Sequence, residues 1–253
     1  MNKKQVVLTE GIVLSRKKIA NDIYHIKIRL EKSLGDYEYG NFVMIHIKDT
    51  LKTILPRPFS IFKANDCNLE LIFKEVGEGT KLLATKDLPF PIKVWGPLGN
   101  GFPYSENIVF IAGGLGLVPL YQKIVKCSFI KAFVGFKNIS EAYFLDCLRK
   151  KKVVISTDDG SYGEKGFVTE IFRKFLEKDR FKGTVVSCGP KGLLKSLWIL
   201  SKEFKGLEIY GSFETYMACG IGVCLGCAIE TPRGMLKVCK DGPVFNLRDV
   251  FGE

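Results

Sequence analysis

Residues 111–120 read Ile-Ala-Gly-Gly-Leu-Gly-Leu-Val-Pro-Leu, so a short apolar run passes through three glycines into a helical pattern. A glycine-rich turn between a strand and a helix lets a pyrophosphate approach the backbone at the helix N-terminus, where the helix dipole favours anions. The glycines do not have the GxGxxG spacing, and such a turn can also serve close packing alone. Cys188-Gly189-Pro190 ends a later apolar run in the same way. Two such turns in one sheet indicate a nucleotide-binding domain.

The segments around these two turns alternate between strand and helix patterns. Strands are predicted over 107–112, 132–136, 153–157, 185–188 and 207–210, and helices over 117–127, 141–150, 168–177 and 192–204. Strands that alternate with helices of about ten residues form a parallel sheet with crossover helices. Such sheets bind ligands at the carboxyl ends of their strands. We therefore predict a parallel α/β domain over residues 104–211.

The first hundred residues follow a β pattern instead. Runs rich in Val, Ile and Phe occupy 6–14, 23–30, 42–47 and 69–75, with turn-forming residues between them. Short strands at this spacing are typical of a small antiparallel barrel or sandwich. A short helix is predicted near 81–85, and the proline- and glycine-rich stretch 89–103 marks a domain boundary. We predict an N-terminal antiparallel β-barrel over residues 1–103.

Four cysteines are concentrated near the C-terminus with the spacing C-x4-C-x2-C-x11-C. They are Cys219, Cys224, Cys227 and Cys239. The first two spacings match the plant-type [2Fe–2S] pattern, whereas structural zinc sites usually use two close cysteine pairs. Gly220, Gly222 and Gly226 allow the positive φ angles and the close approach with which amide N–H groups turn toward negatively charged sulfur. The pattern favours a [2Fe–2S] segment over residues 212–253, with a zinc site or cysteines that merely fill a core as alternatives.

Composition and charge limit the class of protein. The chain of 253 residues is 46% hydrophobic, which is enough for a core. It contains no apolar run of about 18 residues, and its start lacks the apolar block of a signal peptide. We therefore expect a cytoplasmic protein with reduced cysteines and no membrane contact. The net charge of +11 comes from scattered lysines. Because no recognition motif accompanies them, we predict no nucleic-acid binding, although an anionic cofactor or partner would suit this charge.

Two short motifs in the predicted barrel could meet an anionic cofactor. Arg57-Pro58-Phe59-Ser60 combines a guanidinium, a rigid turn, an aromatic ring and a hydroxyl. Arginine suits phosphate through its bidentate fork, and the ring could stack on a flat cofactor. A surface arginine before a turn would give the same sequence. Gly77-Glu78-Gly79-Thr80 precedes the predicted short helix and is a second candidate phosphate cradle.

These motifs stand in an order that resembles the ferredoxin–NADP reductase superfamily. RPFS lies in the barrel, GEGT follows it, GGLGLVP opens the α/β domain, and CGP comes near its end. The tail, residues 216–227 followed by 238–245, resembles that of the electron transfer subunits of dihydroorotate dehydrogenase B. The resemblance covers essentially the whole chain, and the tail motif is its most specific part.

The resemblance implies FAD in the barrel, NAD as a mobile acceptor on the α/β domain, and a [2Fe–2S] cluster on the four cysteines. The implied FAD residues are Arg57, Pro58, Phe59, Ser60, Ile72, Phe73, Lys74, Gly79 and Thr80. The implied NAD residues are Gly113, Gly114, Gly116, Pro119, Cys188, Gly189 and Pro190. Lys74 stands where relatives often have arginine. No catalytic acid or base is implied, because the chemistry of such proteins belongs to their cofactors.

The resemblance also implies a partner and a pathway. A catalytic subunit that contains FMN would oxidise dihydroorotate to orotate in pyrimidine (UMP) biosynthesis, in a heterotetramer of two plus two chains. Electrons would pass through the cluster to FAD and then to NAD⁺. The flavin must stand between the other two, because the cluster carries single electrons and NAD⁺ accepts a hydride. The alternatives are a subunit of a related NAD(P)H–ferredoxin oxidoreductase or sulfhydrogenase, and a zinc-binding module without flavin. The sequence does not decide between NAD and NADP.

Overall fold

Two seven-stranded sheets dominate the computed structural model, which describes residues 5–48 and 54–252. The first sheet contains β1 (Val7–Ala20), β2 (Ile23–Leu30), β3 (Phe42–Ile47), β4 (Arg57–Ser60), β5 (Lys63–Asn65), β6 (Asn68–Lys74) and β7 (Phe90–Leu98). Its order is β4-β3-β7-β1-β2-β6-β5, and all its neighbouring strands are antiparallel. The predicted antiparallel β-unit at the N-terminus is therefore confirmed.

Strand β7 corrects one feature of the prediction. It lies between β1 and β3 in the sheet, although the sequence placed a proline- and glycine-rich boundary over 89–103. Pro91 and Pro97 conceal the strand because proline is rare in central strands. Pro91 is exposed, whereas Phe90, Ile92 and Val94 on the opposite face of β7 are buried in the barrel core. The side-chain alternation of β7 therefore fits a strand despite its prolines.

Helix α1 (Glu78–Thr85) packs against the barrel. Its buried residues are Gly79, Leu83 and Ala84, and Leu83 and Ala84 belong to the barrel core. The hydroxyl of Thr80 accepts hydrogen bonds from the N–H groups of Val76 and Gly77 at 2.9 and 3.0 Å. These bonds shape the chain that enters the helix, so α1 begins three residues earlier than predicted.

The second sheet forms the α/β unit. Its first six strands are β8 (Ile108–Gly113), β9 (Lys131–Phe136), β10 (Val153–Thr157), β11 (Glu164–Lys165), β12 (Gly183–Cys188) and β13 (Leu207–Ser212). The helices between them are α2 (Leu117–Lys126), α3 (Leu145–Arg149), α4 (Val168–Asp179) and α5 (Lys191–Glu203). These six strands pair in parallel in the order β11-β10-β9-β8-β12-β13. This confirms the predicted parallel sheet, and the order reverses between β8 and β12.

Helix α3 is shorter than the predicted helix over 141–150. A 3-10 turn at Ile139–Glu141 comes first, and Phe144 then takes a left-handed conformation with φ of 59°. Its ring lies 5.6 Å from that of Phe62 in the barrel and 4.6 Å from that of Tyr121. Packing between the two units therefore overrides the local helical tendency, which is a weak preference.

The C-terminal segment folds back onto the second sheet. A hairpin of β14 (Ala228–Thr231) and β15 (Gly234–Lys237) leads to α6 (Val238–Asp241), β16 (Val244–Asn246) and α7 (Leu247–Phe251). Strand β16 pairs antiparallel with β13 at the sheet edge. The domain boundaries at residues 103 and 211 stay predictions. None of the helices within 5–48 and 54–252 has the length and apolar character needed to span a bilayer.

An ion pair joins the barrel to the α/β unit. The Lys74 ammonium lies 3.0 Å from a carboxylate oxygen of Glu141, and the two side chains are only 29% and 21% exposed. The N–H of Asn21 also donates to the carbonyl of Ser140 at 2.8 Å. Partial burial weakens solvent screening, so this pair should contribute more than a surface pair does.

A double-mutant cycle measures that contribution. For Lys74→Met, Glu141→Gln and their combination, we expect a coupling of about 1 kcal/mol in the free energy of urea unfolding. The matched control is the more exposed Lys18–Asp22 pair at 3.5 Å within the barrel, for which we expect about 0.3 kcal/mol. Equal coupling in the two cycles would contradict a stabilising contact between the units.

Candidate functional site

A cleft of about 550 Å³ lies between the barrel and the segment after β13. Eight of the nine residues implied for FAD line it: Arg57, Pro58, Phe59, Ser60, Ile72, Phe73, Lys74 and Thr80. They come from β4, from β6 and from the first turn of α1. Gly79 lies beneath one of these side chains, because a Cβ added to it would be 3.1 Å from Nε of Arg57. The fold thus brings together residues that are far apart in sequence.

The Arg57 guanidinium is held at the cleft by its own loop. One of its terminal nitrogens donates to the carbonyls of Leu55 and Pro56 at 2.6 and 3.3 Å. The closely packed backbone of Gly79 supports the other side. A guanidinium has five N–H donors, so this arrangement fixes the group and still leaves donors for an anion.

Two other residues implied for FAD already have partners. Lys74 lines the cleft, but its ammonium forms the ion pair with Glu141 described above. The Thr80 hydroxyl accepts two backbone hydrogen bonds and donates to the carbonyl of Gly77 at 2.9 Å. Both therefore shape the wall of the cleft, and a direct contact with a cofactor phosphate stays a prediction for each.

Sequence reasoning missed one whole wall of this cleft, residues 212–217. The segment consists of the last residue of β13 and the five residues after it, at a carboxyl end of the parallel sheet where ligands are expected. That position was the available signal for residues 212–215, and only Tyr216 and Met217 belong to a motif, that of the C-terminal tail. Pro243 and Gly40 also line the cleft. The site is therefore built from the barrel, the α/β unit and the C-terminal segment together.

A second cavity of about 650 Å³ adjoins the first. Gly189, Pro190 and Lys191 line it at the end of β12, where the strand order reverses. Among the described residues, Phe213, Glu214 and Thr215 alone form part of both cavities. Such a reversal point is where open α/β sheets bind nucleotides. A ligand in the second cavity would therefore lie beside one in the first.

The residues implied for NAD fall into two groups. Gly189 and Pro190 line the second cavity, and a Cβ on Gly114 would have open space around it. The other four, Gly113, Gly116, Pro119 and Cys188, are buried. A Cβ on Gly116 would lie 2.0 Å from the carbonyl oxygen of Cys188, so this glycine lets two turns pack together. In the glycine-rich turn, Gly114 therefore leaves room for a phosphate to approach, whereas Gly116 serves close packing.

The Glu214 side chain lies where the two cavities meet, and the buried thiol of Cys188 is near it. Glu214 is exposed to the solvent that fills the cleft. The protein around the cleft still removes part of the water from its carboxylate, and this desolvation raises its pKa above the ordinary value. Burial, and then the nearby charge of Glu214, raise the pKa of the Cys188 thiol. Cys188 is therefore a neutral thiol and not a nucleophilic thiolate.

The four C-terminal cysteines are free thiols that meet in pairs. Burial alone would raise the pKa of Cys219, but hydrogen bonds from backbone N–H groups and from the Cys224 thiol lower it to about 6. The N–H of Cys239 donates to sulfur of Cys227 at 3.4 Å, and these two side chains also hydrogen-bond. Amide groups directed at sulfur suit thiolates and bridging sulfides, so the donor set fits an iron–sulfur cluster.

The pairing also bears on the choice between zinc and two irons. Structural zinc sites use four ligands around one ion. In a [2Fe–2S] cluster each iron takes only two protein ligands. The pairs Cys219–Cys224 and Cys227–Cys239 match that requirement.

The cysteine loop is fixed to the outside of the barrel. The indole N–H of Trp95 donates to the carbonyl of Cys219 at 3.2 Å. A Cβ on Gly220 would lie 2.5 Å from Cγ of Met44, and this glycine has a φ of +72°. Because neighbouring Met217 lines the first cleft, the loop and the cleft share a border.

The loop glycines provide the two features predicted for them, positive φ angles and close approach, at different positions. Gly220 and Gly222 have positive φ angles of 72° and 84°, as predicted, but Gly226 does not. Leu225 takes the positive angle instead, with φ of 58°. A Cβ on Gly226 would meet only sulfur of Cys224, at 3.6 Å. The glycine therefore provides close approach to the thiol and not a special backbone angle.

Comparison with known proteins supports a cluster-binding tail. Residues 214–251 match the family model described as the iron–sulfur cluster binding domain of dihydroorotate dehydrogenase B. Among solved structures, that of an NADH-dependent reduced ferredoxin–NADP oxidoreductase aligns with a TM-score of 0.82 and 25% identity, over 95% of this chain and 89% of that one. The ferredoxin reductase of carbazole 1,9a-dioxygenase aligns with a TM-score of 0.66 at 18% identity, over 81% of this chain and 69% of that one, and shows the fold alone.

Two curated relatives identify the family. Both are named dihydroorotate dehydrogenase B (NAD(+)), electron transfer subunit. The protein from Bacillus velezensis is 36% identical over 94% of this chain and 96% of its own length. The protein from Clostridium acetobutylicum is 35% identical over 90% and 91%. With such identity over nearly complete chains, this protein belongs to the family of electron transfer subunits of dihydroorotate dehydrogenase B.

Proposed function

We propose that this chain transfers electrons from the FMN of a dihydroorotate dehydrogenase subunit to NAD⁺, in pyrimidine (UMP) biosynthesis. It does so through a [2Fe–2S] cluster on Cys219, Cys224, Cys227 and Cys239 and through FAD in the first cleft. One observation carries the proposal: the cysteine loop borders the first cleft, and that cleft shares residues 213–215 with the second cavity. Three sites in contact provide an unbroken path for electrons.

The residues of this chain bind the cofactors and orient them relative to each other. Arg57 offers its remaining N–H donors to the anionic part of FAD, while Phe59 and Phe73 provide aromatic surface in the same cleft. Gly189 and Pro190 place NAD beside the flavin. When bound, the cluster supplies single-electron transfer and the flavin couples it to hydride transfer. No acid or base of the chain is required.

Arg57→Ala tests the flavin site. Loss of a charge-assisted hydrogen bond costs about 1.5–3 kcal/mol, so we expect FAD to bind roughly 10–100-fold more weakly. The flavin-to-protein ratio after gel filtration and a fluorescence titration with FAD measure this change. The control is Arg29→Ala, because Arg29 is an exposed residue of β2 outside the cleft. Wild-type affinity in Arg57→Ala would refute the barrel site.

The partner is inferred from the surface of the cysteine loop. Ile221, Val223 and Leu225 are exposed there although they are large and apolar, and Met235 of the nearby hairpin is too. Exposed apolar groups of this kind mark protein–protein contacts. We propose that the FMN-containing subunit covers them in a heterotetramer of two plus two chains.

A cytoplasmic location fits the eight free cysteines, since disulfides are rare in that compartment.

Reconstitution with the partner tests the whole proposal. The chain should copurify with an FMN-containing dihydroorotate dehydrogenase subunit, and the complex should reduce NAD⁺ with dihydroorotate as donor. The resemblance to the ferredoxin–NADP oxidoreductase structure makes ferredoxin the second candidate partner. If the chain bound no such subunit but reduced ferredoxin with NAD(P)H, the dihydroorotate assignment would be wrong.

A further inference from the structure

The outer face of β1 carries an apolar stripe where an antiparallel sheet normally presents polar groups to water. Leu8, Ile12 and Leu14 are 60%, 46% and 50% exposed. Residues 9, 11 and 13 of the same strand are buried, so the alternation is regular and the stripe lies on the outside of the barrel. Val6, just before the strand, is also exposed. Contiguous exposed apolar groups indicate a surface that is covered in an assembly.

The stripe begins where the cysteine loop is attached. Leu8 lies directly opposite Trp95 in the β1–β7 register. Trp95 in turn holds the carbonyl of Cys219 through its indole N–H. Side chains directly opposite each other on one face of a sheet are neighbours. The exposed apolar residues of the loop and those of β1 therefore belong to one continuous surface.

Basic side chains border the stripe on both sides. Lys27 and Arg29 of β2 are exposed on one side. On the other side, Lys48 and Lys93 both form ion pairs with Glu10, which lies within the stripe and whose charge they offset. A partner that complements this face presents an apolar strip with acidic groups at its rim.

We propose that the FMN-containing partner subunit docks across both the cysteine loop and the outer face of β1. The inference rests on the proposed function and adds the barrel to the docking surface. A stable interface uses about 20–30 residues on each side. The loop from Cys219 to Cys227 has nine residues, so a stable contact has to extend beyond it. The β1 stripe is continuous with the loop and has the required character.

The variant Leu8→Ser/Ile12→Ser tests the inference. We expect its Kd for the FMN-containing subunit, measured by calorimetry, to rise at least tenfold. The NADH-dependent reduction of ferricyanide by the isolated chain should stay within twofold of wild type, because neither residue lines the first cleft or the second cavity. The matched control is Phe167→Ser/Ile199→Ser, since these residues of the α/β unit are 60% and 44% exposed. It should bind the partner normally.

The outcomes separate this inference from the proposed function. An unchanged Kd for Leu8→Ser/Ile12→Ser would overturn the barrel docking face and leave the electron path intact. Failure of the wild-type chain to bind the subunit would overturn both. If light scattering found the isolated chain to be a dimer that this variant converts to a monomer, a second copy would be the occupant and the inference would be wrong.

Charge reversal of Lys27 and Arg29 to Glu should also weaken binding and reduce its salt dependence.

Discussion

Cys224→Ser is expected to purify without a [2Fe–2S] cluster, with iron below about one tenth of the wild-type amount. Cysteine binds iron as the thiolate, and a serine hydroxyl does not ionise at neutral pH. Cys224 pairs with Cys219, so its loss leaves one iron with a single protein ligand. Iron analysis, visible absorption and EPR of the dithionite-reduced protein measure the result.

The control for this variant is Cys147→Ser. Cys147 is also an exposed thiol, but it lies in α3 and outside the cysteine loop. It should retain full iron and an unchanged EPR signal. Both variants should retain FAD, because neither residue lines the first cleft. A Cys224→Ser protein with wild-type EPR intensity would refute the ligand assignment.

Gly116→Ala is expected to destabilise the protein by about 3 kcal/mol or more. An added Cβ would lie 2.0 Å from the Cys188 carbonyl oxygen and 2.6 Å from N of Gly189, so backbone would meet a methyl group with no room for it. The φ of Gly116 is −60°, an ordinary angle for any residue. The loss of stability therefore comes from the steric clash alone. The clash lies between the turns that follow β8 and β12, which end side by side.

Gly192→Ala is the matched control. Gly192 lies in α5, and a Cβ there would meet nothing within 4 Å. Alanine in a helix is about 1 kcal/mol more favourable than glycine, so this variant should be as stable as wild type or more so. Thermal unfolding of the FAD-loaded proteins compares the two. Equal melting temperatures would show that the turns do not pack as closely as described.

Several features were predictable from the sequence because they depend on local patterns. The parallel strands follow from buried apolar runs, and the cysteine loop follows from its spacing. Features that depend on tertiary contacts were not predictable. The prolines of β7 concealed a central strand, and contact of Phe144 with the barrel interrupted a predicted helix. Residues 212–215 of the cleft wall belong to no motif, and the wall becomes visible only when β13 is placed beside the barrel.

The roles of individual glycines also depend on tertiary contacts. Gly114 and Gly116 are two residues apart in one turn, yet the first has open space around it and the second has none. Sequence alone treats them alike, since both fit a strand-to-helix turn. Only the position of the neighbouring turn at Cys188 separates a residue that could admit a ligand from one that serves packing.

The most direct test of the account is anaerobic titration of the FAD- and iron-loaded chain with NADH, monitored by absorption and EPR. Because the cysteine loop, the first cleft and the second cavity adjoin one another, NADH should bleach the flavin and also produce the EPR signal of a reduced [2Fe–2S] cluster. A bleached flavin with no cluster signal, in protein whose cluster dithionite does reduce, would contradict electron transfer between the two sites.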